Sequence, residues 1–431
     1  MPSIKTSIYI TLFLVFTLDF IFSQKLGENI VPLIEDEEIT TIISDDEEEF
    51  MVAIELLNEL GGKIYIDTPV ITLEKNSNIE LTGELSGGII GIRQANGEYP
   101  RIIFNEKKDL FSGINIFGSN QYIEYLIIEN VQDNGITLMG DNNILDHVIS
   151  RYNYGHGFAI YGNYNTLNFC YSYRNAEPGA HLIVADGFYI DGEVNNVFNY
   201  CFAWDNSNSG FNYDKILLNP SELIYLHSAS WNNGNINVFT GKYDYDNGNP
   251  LDKNLKSIKL IMESDPSFVS NYYNKKYNID KASIDGVDVQ EWSAKASALM
   301  EGNGFTFGNR NSSQIIDVKR NALYCVAFDN KAAGFVDNYN YKYNAHITNC
   351  ASFNNNINYF LLYTFSKWED NWSWGSINND LLNKVTTKKP SNANTIQNLI
   401  YSVRNQIIKA VSANMFPDGI IFDICLKSLK N

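Results

Sequence analysis

"GSNQYIEYLIIENVQDNGITLMGDNNILDHVISRYNYGHGFAIY", Gly118 to Tyr161, is two copies of one pattern set end to end. Each copy opens on Gly, passes through Asn into a short strand of alternating character, and meets a second Asn. It then turns at Gly into another short strand. Gly118, Gly140 and Gly162 are 22 residues apart. The block from Gly162 is longer, and the next opens at Gly192, 30 residues on. Further copies follow in "LIYLHSASWNNGN", "RNALYCVAFDNKAAGFVDNY" and "NAHITNCASFNNNINYF". A period of 20 to 30 residues holding several short strands is a solenoid signature. Strands this short bury no face alone. Stacked coil on coil they enclose a shared core, with equivalent residues about 4.8 Å apart. A β-sandwich would show hairpin turns without the long period. The pattern therefore predicts an all-β protein, a parallel β-helix of about seven to ten coils.

The repeated Asn suits a turn, where its amide bonds the coils above and below and its backbone tolerates the left-handed region. Four of the five Cys share one context: "NFCYSYRN", "NYCFAWDN", "LYCVAFDN" and "TNCASFNN". This predicts stacked interior positions for Cys170 with Cys201 and for Cys325 with Cys350, not metal ligation. An odd Cys count leaves at least one thiol unpaired.

The ends of a β-helix need caps. An amphipathic helix over Phe50–Leu60, stopped by Gly61-Gly62, supplies one before the strand "KIYIDTPVITL". A helical C-terminal cap over 376–431 is expected at the other end, with "FPDGIIFDICLKSLKN" folding back over the last coil. The β-helix itself spans 50–375. Residues 241–302 break its pattern and read as a long loop on one face, where solenoids place function.

The 431 residues carry 32 Lys and Arg against 50 Asp and Glu, a net charge of −18. Nine of the acids lie in Glu35–Glu49, so 24–49 reads as an acidic, solvated linker. The balance excludes nucleic acid as a partner, because phosphate binding needs a basic face. Lys5, the apolar run Ile8–Leu18 and the small Ser23 lay out a secretory leader over 1–23. The run is too short to span a bilayer. The chain reads as secreted and monomeric, without a membrane anchor once the leader is removed. Asn311 and Asn371 fit the N-glycosylation pattern.

Taken together, "ADGF" (Ala185–Phe188), "NVFNYCFAWDNSNSGFNYDK", "SASWNNGN", "GNGFTFG" (Gly302–Gly308), "CVAFDNKAAGFVDN" and "CASFNNN" occur in the order seen in polysaccharide lyase family 9. The chain resembles that secreted group of right-handed parallel β-helices, which includes pectate lyases, from about Glu49 to its end. The resemblance implies calcium-assisted β-elimination in a pectic or other acidic polysaccharide. Calcium held by carboxylates would bind the uronate carboxylate and acidify the C5 proton. A neutral Lys would remove that proton. By position Lys215 corresponds to the family's base and Asp186 to a calcium ligand. Asp191 and Asp205, with Glu177 and Asn amides, are candidates to complete the site. The sequence also departs from the family. Asn208, Ser209 and Asn212 stand where the family commonly has acids, and "HLIV" (His181–Val184) is apolar.

Each of these residues has a plainer reading. Lys215 suits a solvated loop, and Asp186, Asp191 and Asp205 suit turns. The aromatic stripes suit core ladders, but Trp204, Tyr213 and Trp231 flank the candidate groove and could stack on sugars. A β-helix retaining a carbohydrate groove without catalysis is the main alternative function. A glycoside hydrolase with paired carboxylates is a weaker one, since no stacked Asp pair with a nearby His is evident.

Overall fold

The computed structural model describes residues 40–43, 46–73, 78–104, 112–131, 133–153, 155–175, 185–191, 195–213, 221–234, 302–307, 318–336, 344–361, 364–382 and 385–429. Within them the chain winds as a three-faced β-helix in which every strand pairing is parallel. The first face runs from Gly62–Ile66 through Thr166–Asn168 to Thr364–Glu369. The second runs from Val70–Leu73 through Phe202–Trp204 to Trp372–Trp374. Gln121–Glu129 and Ile144–Arg151 are long enough to bend from the first face onto the second, merging them into one 19-stranded sheet. The third face is a separate ten-stranded sheet from Ile79–Leu81 to Leu381–Leu382, which sets ten coils among the described residues.

Alternation along each strand turns one set of side chains inward. On the third face Phe158, Phe188, Phe211 and Phe305 lie in register and stack at 4.8, 4.6 and 4.7 Å inside the tube. Cys170, Cys201, Cys325 and Cys350 are wholly buried, as the repeat predicts. All five thiols are free. Burial first, then the neighbouring Cys201, pushes the Cys170 thiol well up; burial and Cys350 do the same to Cys325.

The turn between second and third faces holds a ladder of buried amides. Asn153 Nδ2 donates to Asn175 Oδ1, Asn175 to Asn206, Asn206 to Asn233, Asn233 to Asn330 and Asn330 to Asn355, each at 3.0 Å. The left-handed residue, however, is the one before each rung: Tyr152, Arg174, Asp205, Asn232, Asp329 and Asn354 all have φ near +55°. One residue takes the backbone strain and the next takes the amide role. Asn371, a glycosylation candidate, is also interior: it is 1% exposed, accepts the Cys350 N–H and donates to the Ile347 carbonyl. Asn311 lies outside the described residues.

Helix α1 (Glu47–Leu60) closes the N-terminal end with Phe50, Ala53, Ile54 and Leu57 buried. It begins three residues before the expected start. Asp46 Oδ1 accepts the Glu48 and Glu49 N–H groups, and Glu47–Glu49 lie against the positive end of the helix dipole. Thr40–Ile43 pairs with Lys63–Ile66 as a further strand. The acidic stretch is therefore structured from Thr40 to Ile43 and from Asp46 onward. The helix ends at Gly61, φ +70°.

Helix α2 (Ala393–Ser412) and helix α3 (Asp423–Ser428) do not sit over the last coil. They lie along the outside of the second face, because that face is apolar on both sides. Its outward column Tyr173, Trp204, Trp231, Phe328, Phe353 and Trp374 stacks ring on ring. The α2 stripe Ile396, Ile400, Val403, Ile407 and Val411, with Phe416 and Phe422, seals it into a second core. Among the described residues no helix is long and apolar enough to cross a membrane.

Candidate functional site

Asp186 leads into the third-face strand Phe188–Ile190. The coils approach closely here: a Cβ on Gly157 would lie 1.9 Å from Ser172 Oγ and 2.8 Å from the Gly187 carbonyl. Asp186 is 0% exposed. Its Oδ1 accepts the Ser209 N–H at 2.9 Å, and its Oδ2 accepts Asn212 Nδ2 at 3.0 Å. Thr306 Oγ1 donates to Asn212 Oδ1 at 3.0 Å and accepts the Tyr213 N–H at 2.8 Å. On the other side the Asp186 N–H donates to His156 Nδ1 at 3.0 Å. The same Nδ1 lies 3.4 Å from Asp186 Oδ2, so it accepts the Asp186 N–H when the ring is neutral and faces the carboxylate as an ion pair when the ring is protonated. The imidazole stacks on Tyr189 at 4.6 Å. The result is one buried carboxylate held by N–H donors.

This donor set does not fit calcium. The ion takes six to eight oxygens, several from carboxylates. Both Asp186 oxygens are engaged by donors, and Ser209 and Asn212 bring no negative charge. Among the described residues no three His, Cys, Asp or Glu side chains form a metal-binding group.

The other metal candidates lie elsewhere. Asp191 follows the strand that Asp186 precedes, its N–H on the Ile160 carbonyl at 2.7 Å. Five residues of extended chain span about 16 Å, too far for one ion with ligands at about 2.3–2.6 Å. Asp205 turns toward the C-terminal helices: Asn232 Nδ2 donates to it at 2.5 Å and Arg174 lies at 3.6 Å. The three Asp residues therefore do not form one centre.

The sugar-stacking candidates are corrected too. Trp204 and Trp231 are each 1% exposed, stacked 4.7 Å apart in the core beneath Phe422 and the C-terminal helices. Tyr213 points into the tube, also 1% exposed, with the Arg320 guanidinium 4.4 Å from its ring centre. None presents a ring face to solvent. Lys215, Glu177, His181–Val184 and 241–301 lie outside the described residues.

His156, Thr306 and Tyr189 were missed in the sequence. His156 precedes Asp186 by 30 residues, the length of the long coil from Gly162 to Gly192, and that spacing was the available signal.

Asp205 yields a pH prediction. Burial raises its pKa above the ordinary 3.8, against the lowering pull of Asn232 and Arg174. The folded state thus holds this proton more tightly than the unfolded state. The carboxylate costs stability above its raised pKa, and the cost vanishes as pH falls below the ordinary value. Asn tolerates the left-handed backbone at this position. Asp205→Asn should raise the unfolding midpoint at neutral pH, with the gain shrinking toward acid. An equal gain at all pH values would show that the charge is not its source.

A family model described as "Pel9A-like, right handed beta helix region" matches residues 36–251. Among solved structures, pectate lyase Pel9A aligns at TM-score 0.51 and 20% identity, over 80% of this chain and 76% of that one. The A-module of the Azotobacter vinelandii mannuronan C-5 epimerase AlgE6 aligns at 0.46 and 11%, over 79% and 72%. A rhamnogalacturonan lyase aligns at 0.40 and 15%, over 76% and 78%. No curated protein matches. At these identities the structural likeness concerns the fold. The family match covers Asp186 and the Asn ladder from Asn153 to Asn233, and the chain belongs to the Pel9A-like family of right-handed β-helices.

Proposed function

We propose that the protein binds pectic polysaccharide on a pectate-lyase-type scaffold without eliminating it. One observation carries this reading: Asp186 is fully buried, with both carboxylate oxygens taken by Ser209 and Asn212. Elimination needs a cation to offset the uronate charge and a base to take the C5 proton. Among the described residues the Asp186 network brings no second carboxylate to hold a cation, and His156 Nδ1 is turned to the Asp186 backbone rather than to an incoming sugar. Family membership supports a polysaccharide as the ligand. The reading of residues 1–23 as a secretory leader supports an extracellular polymer as the ligand.

The calcium-dependent lyase with Lys215 as base is the second reading, favoured by the likeness to pectate lyase Pel9A. The two separate in one assay. Ultraviolet absorbance of unsaturated uronate should not rise on any pectin, with calcium or with chelator, while the protein is still retained by pectic polymers. A calcium-dependent rise that Lys215→Ala abolishes would replace the binding reading with the lyase.

A further inference from the structure

Phe117, Met139 and Tyr161 each follow a third-face strand, and those strands are in register. Their N–H groups donate to the Leu81, Ile116 and Leu138 carbonyls at 2.9, 2.8 and 2.8 Å. They occupy one position on three successive coils, about 4.8 Å apart. Phe117 is 48% and Met139 45% exposed, and Tyr161 is half-buried. The column continues sideways: the Tyr161 ring lies 6.0 Å from Tyr189, which stacks on His156 beside Asp186. The glycines that follow fix it in place, since a Cβ on Gly140 or Gly162 would sit 2.0 or 1.9 Å from the carbonyl of the glycine one coil earlier.

We propose that Phe117, Met139, Tyr161 and Tyr189 form a docking ledge for an uncharged stretch of polysaccharide laid along the solenoid axis. The proposal rests on the binding reading above and names its site and ligand class. Pyranose rings present C–H faces that pack on aromatic and thioether surfaces, and a column repeating once per coil suits a repeating polymer. Charge selects the class. The charged groups acting on the Tyr161 hydroxyl are Asp133 and Asp191, which with burial raise its pKa, burial being the larger cause. Two carboxylates beside the ledge disfavour a run of free uronates and leave neutral or methyl-esterified sugars.

The test is affinity electrophoresis of the full chain in gels holding pectic galactan, highly methyl-esterified pectin or polygalacturonate. Wild type should be retarded by the first two polymers more than by the third. Phe117→Ala and Tyr161→Ala should each weaken retardation about tenfold or less, and together by more. Ile424→Ala, an exposed apolar change on α3 beside the second face, should have no effect. Ledge variants that bind as wild type does would overturn the site. Retardation by polygalacturonate alone would overturn the ligand class and leave the binding reading intact. No retardation by any polymer would remove the binding reading itself. A dimer in sedimentation that the ledge variants dissolve would assign the ledge to a second copy of the chain and overturn the proposal.

Discussion

Asn206→Ala is expected to lower stability by roughly 2–5 kcal/mol, although it removes only a small polar side chain. Asn206 is 0% exposed. Its Oδ1 accepts both the Asn175 N–H and Asn175 Nδ2, at 3.2 and 3.0 Å. Its Nδ2 donates to the Ser172 carbonyl and to Asn233 Oδ1. Alanine strands these groups where no water reaches them, and each buried orphan costs about 1–3 kcal/mol. Asn206→Asp should be no better, since a carboxylate cannot donate to Ser172 or Asn233 and would bury a charge. Asn232→Ala, one residue before the next rung, should cost less, although it puts Ala in the left-handed region, at about 1–2 kcal/mol, and removes a donor from Asp205. Its side chain is not a rung. Urea titration followed by far-ultraviolet circular dichroism reads the difference. An Asn206→Ala midpoint equal to that of Asn232→Ala would mean that the ladder is not what holds the coils in register.

The coil architecture was legible because a solenoid writes its geometry into spacing. Gly118, Gly140 and Gly162 mark equivalent turns, and the Cys contexts mark equivalent inward positions. Which outward positions meet water was not legible. On a closed tube Trp204 and Trp231 alternate outward just as Tyr189 and Asn212 do, and local pattern treats them alike. The difference is made by α2, more than 150 residues later, whose apolar stripe must be buried somewhere. That stripe was visible as a helix, but nothing local in it named the second face as its partner. The metal candidates were misplaced for a related reason. Asp186, Asp191 and Asp205 are near in sequence, and a coil carries near residues to different corners. The substitutions at Asn208, Ser209 and Asn212 were visible, and they did mark where the chemistry changed. What they left in place, a buried carboxylate bonded to Ser209 and Asn212 with Thr306 behind them, needed the third dimension.

Arg151 ties the C-terminal helices to the coils, and Arg151→Met should loosen them before the β-helix itself fails. The guanidinium is only 5% exposed. Its Nε donates to Glu129 Oε1 at 2.7 Å, and Nη2 meets the same carboxylate. Nη1 donates to the Val411 carbonyl at 2.9 Å and to the Tyr173 hydroxyl, while Nη2 donates to Asn414 Oδ1 at 2.6 Å. The cation therefore sits against the negative end of α2 and satisfies a carbonyl of its last turn. Methionine keeps the bulk, but it leaves Glu129 buried with only Arg101 near, at 3.6 Å. Breaking such a pair from one side costs about 3–5 kcal/mol. The far end of α2 is still held by Tyr401 on Asp329 and by Gln397 on the Trp374 indole. Loosening should therefore begin near Val411 and spread toward Ala393. Amide exchange in 405–429 should quicken in Arg151→Met while the Phe158–Ile160 and Phe188–Ile190 strands stay protected. Adding Glu129→Met should restore much of the loss, because an apolar pair replaces an orphaned charge. Unchanged exchange near Val411 in the single variant would show that the apolar stripe alone holds the helix. Equal losses in the single and double variants would show that the contacts to Val411 and Asn414, not the buried carboxylate, set the cost.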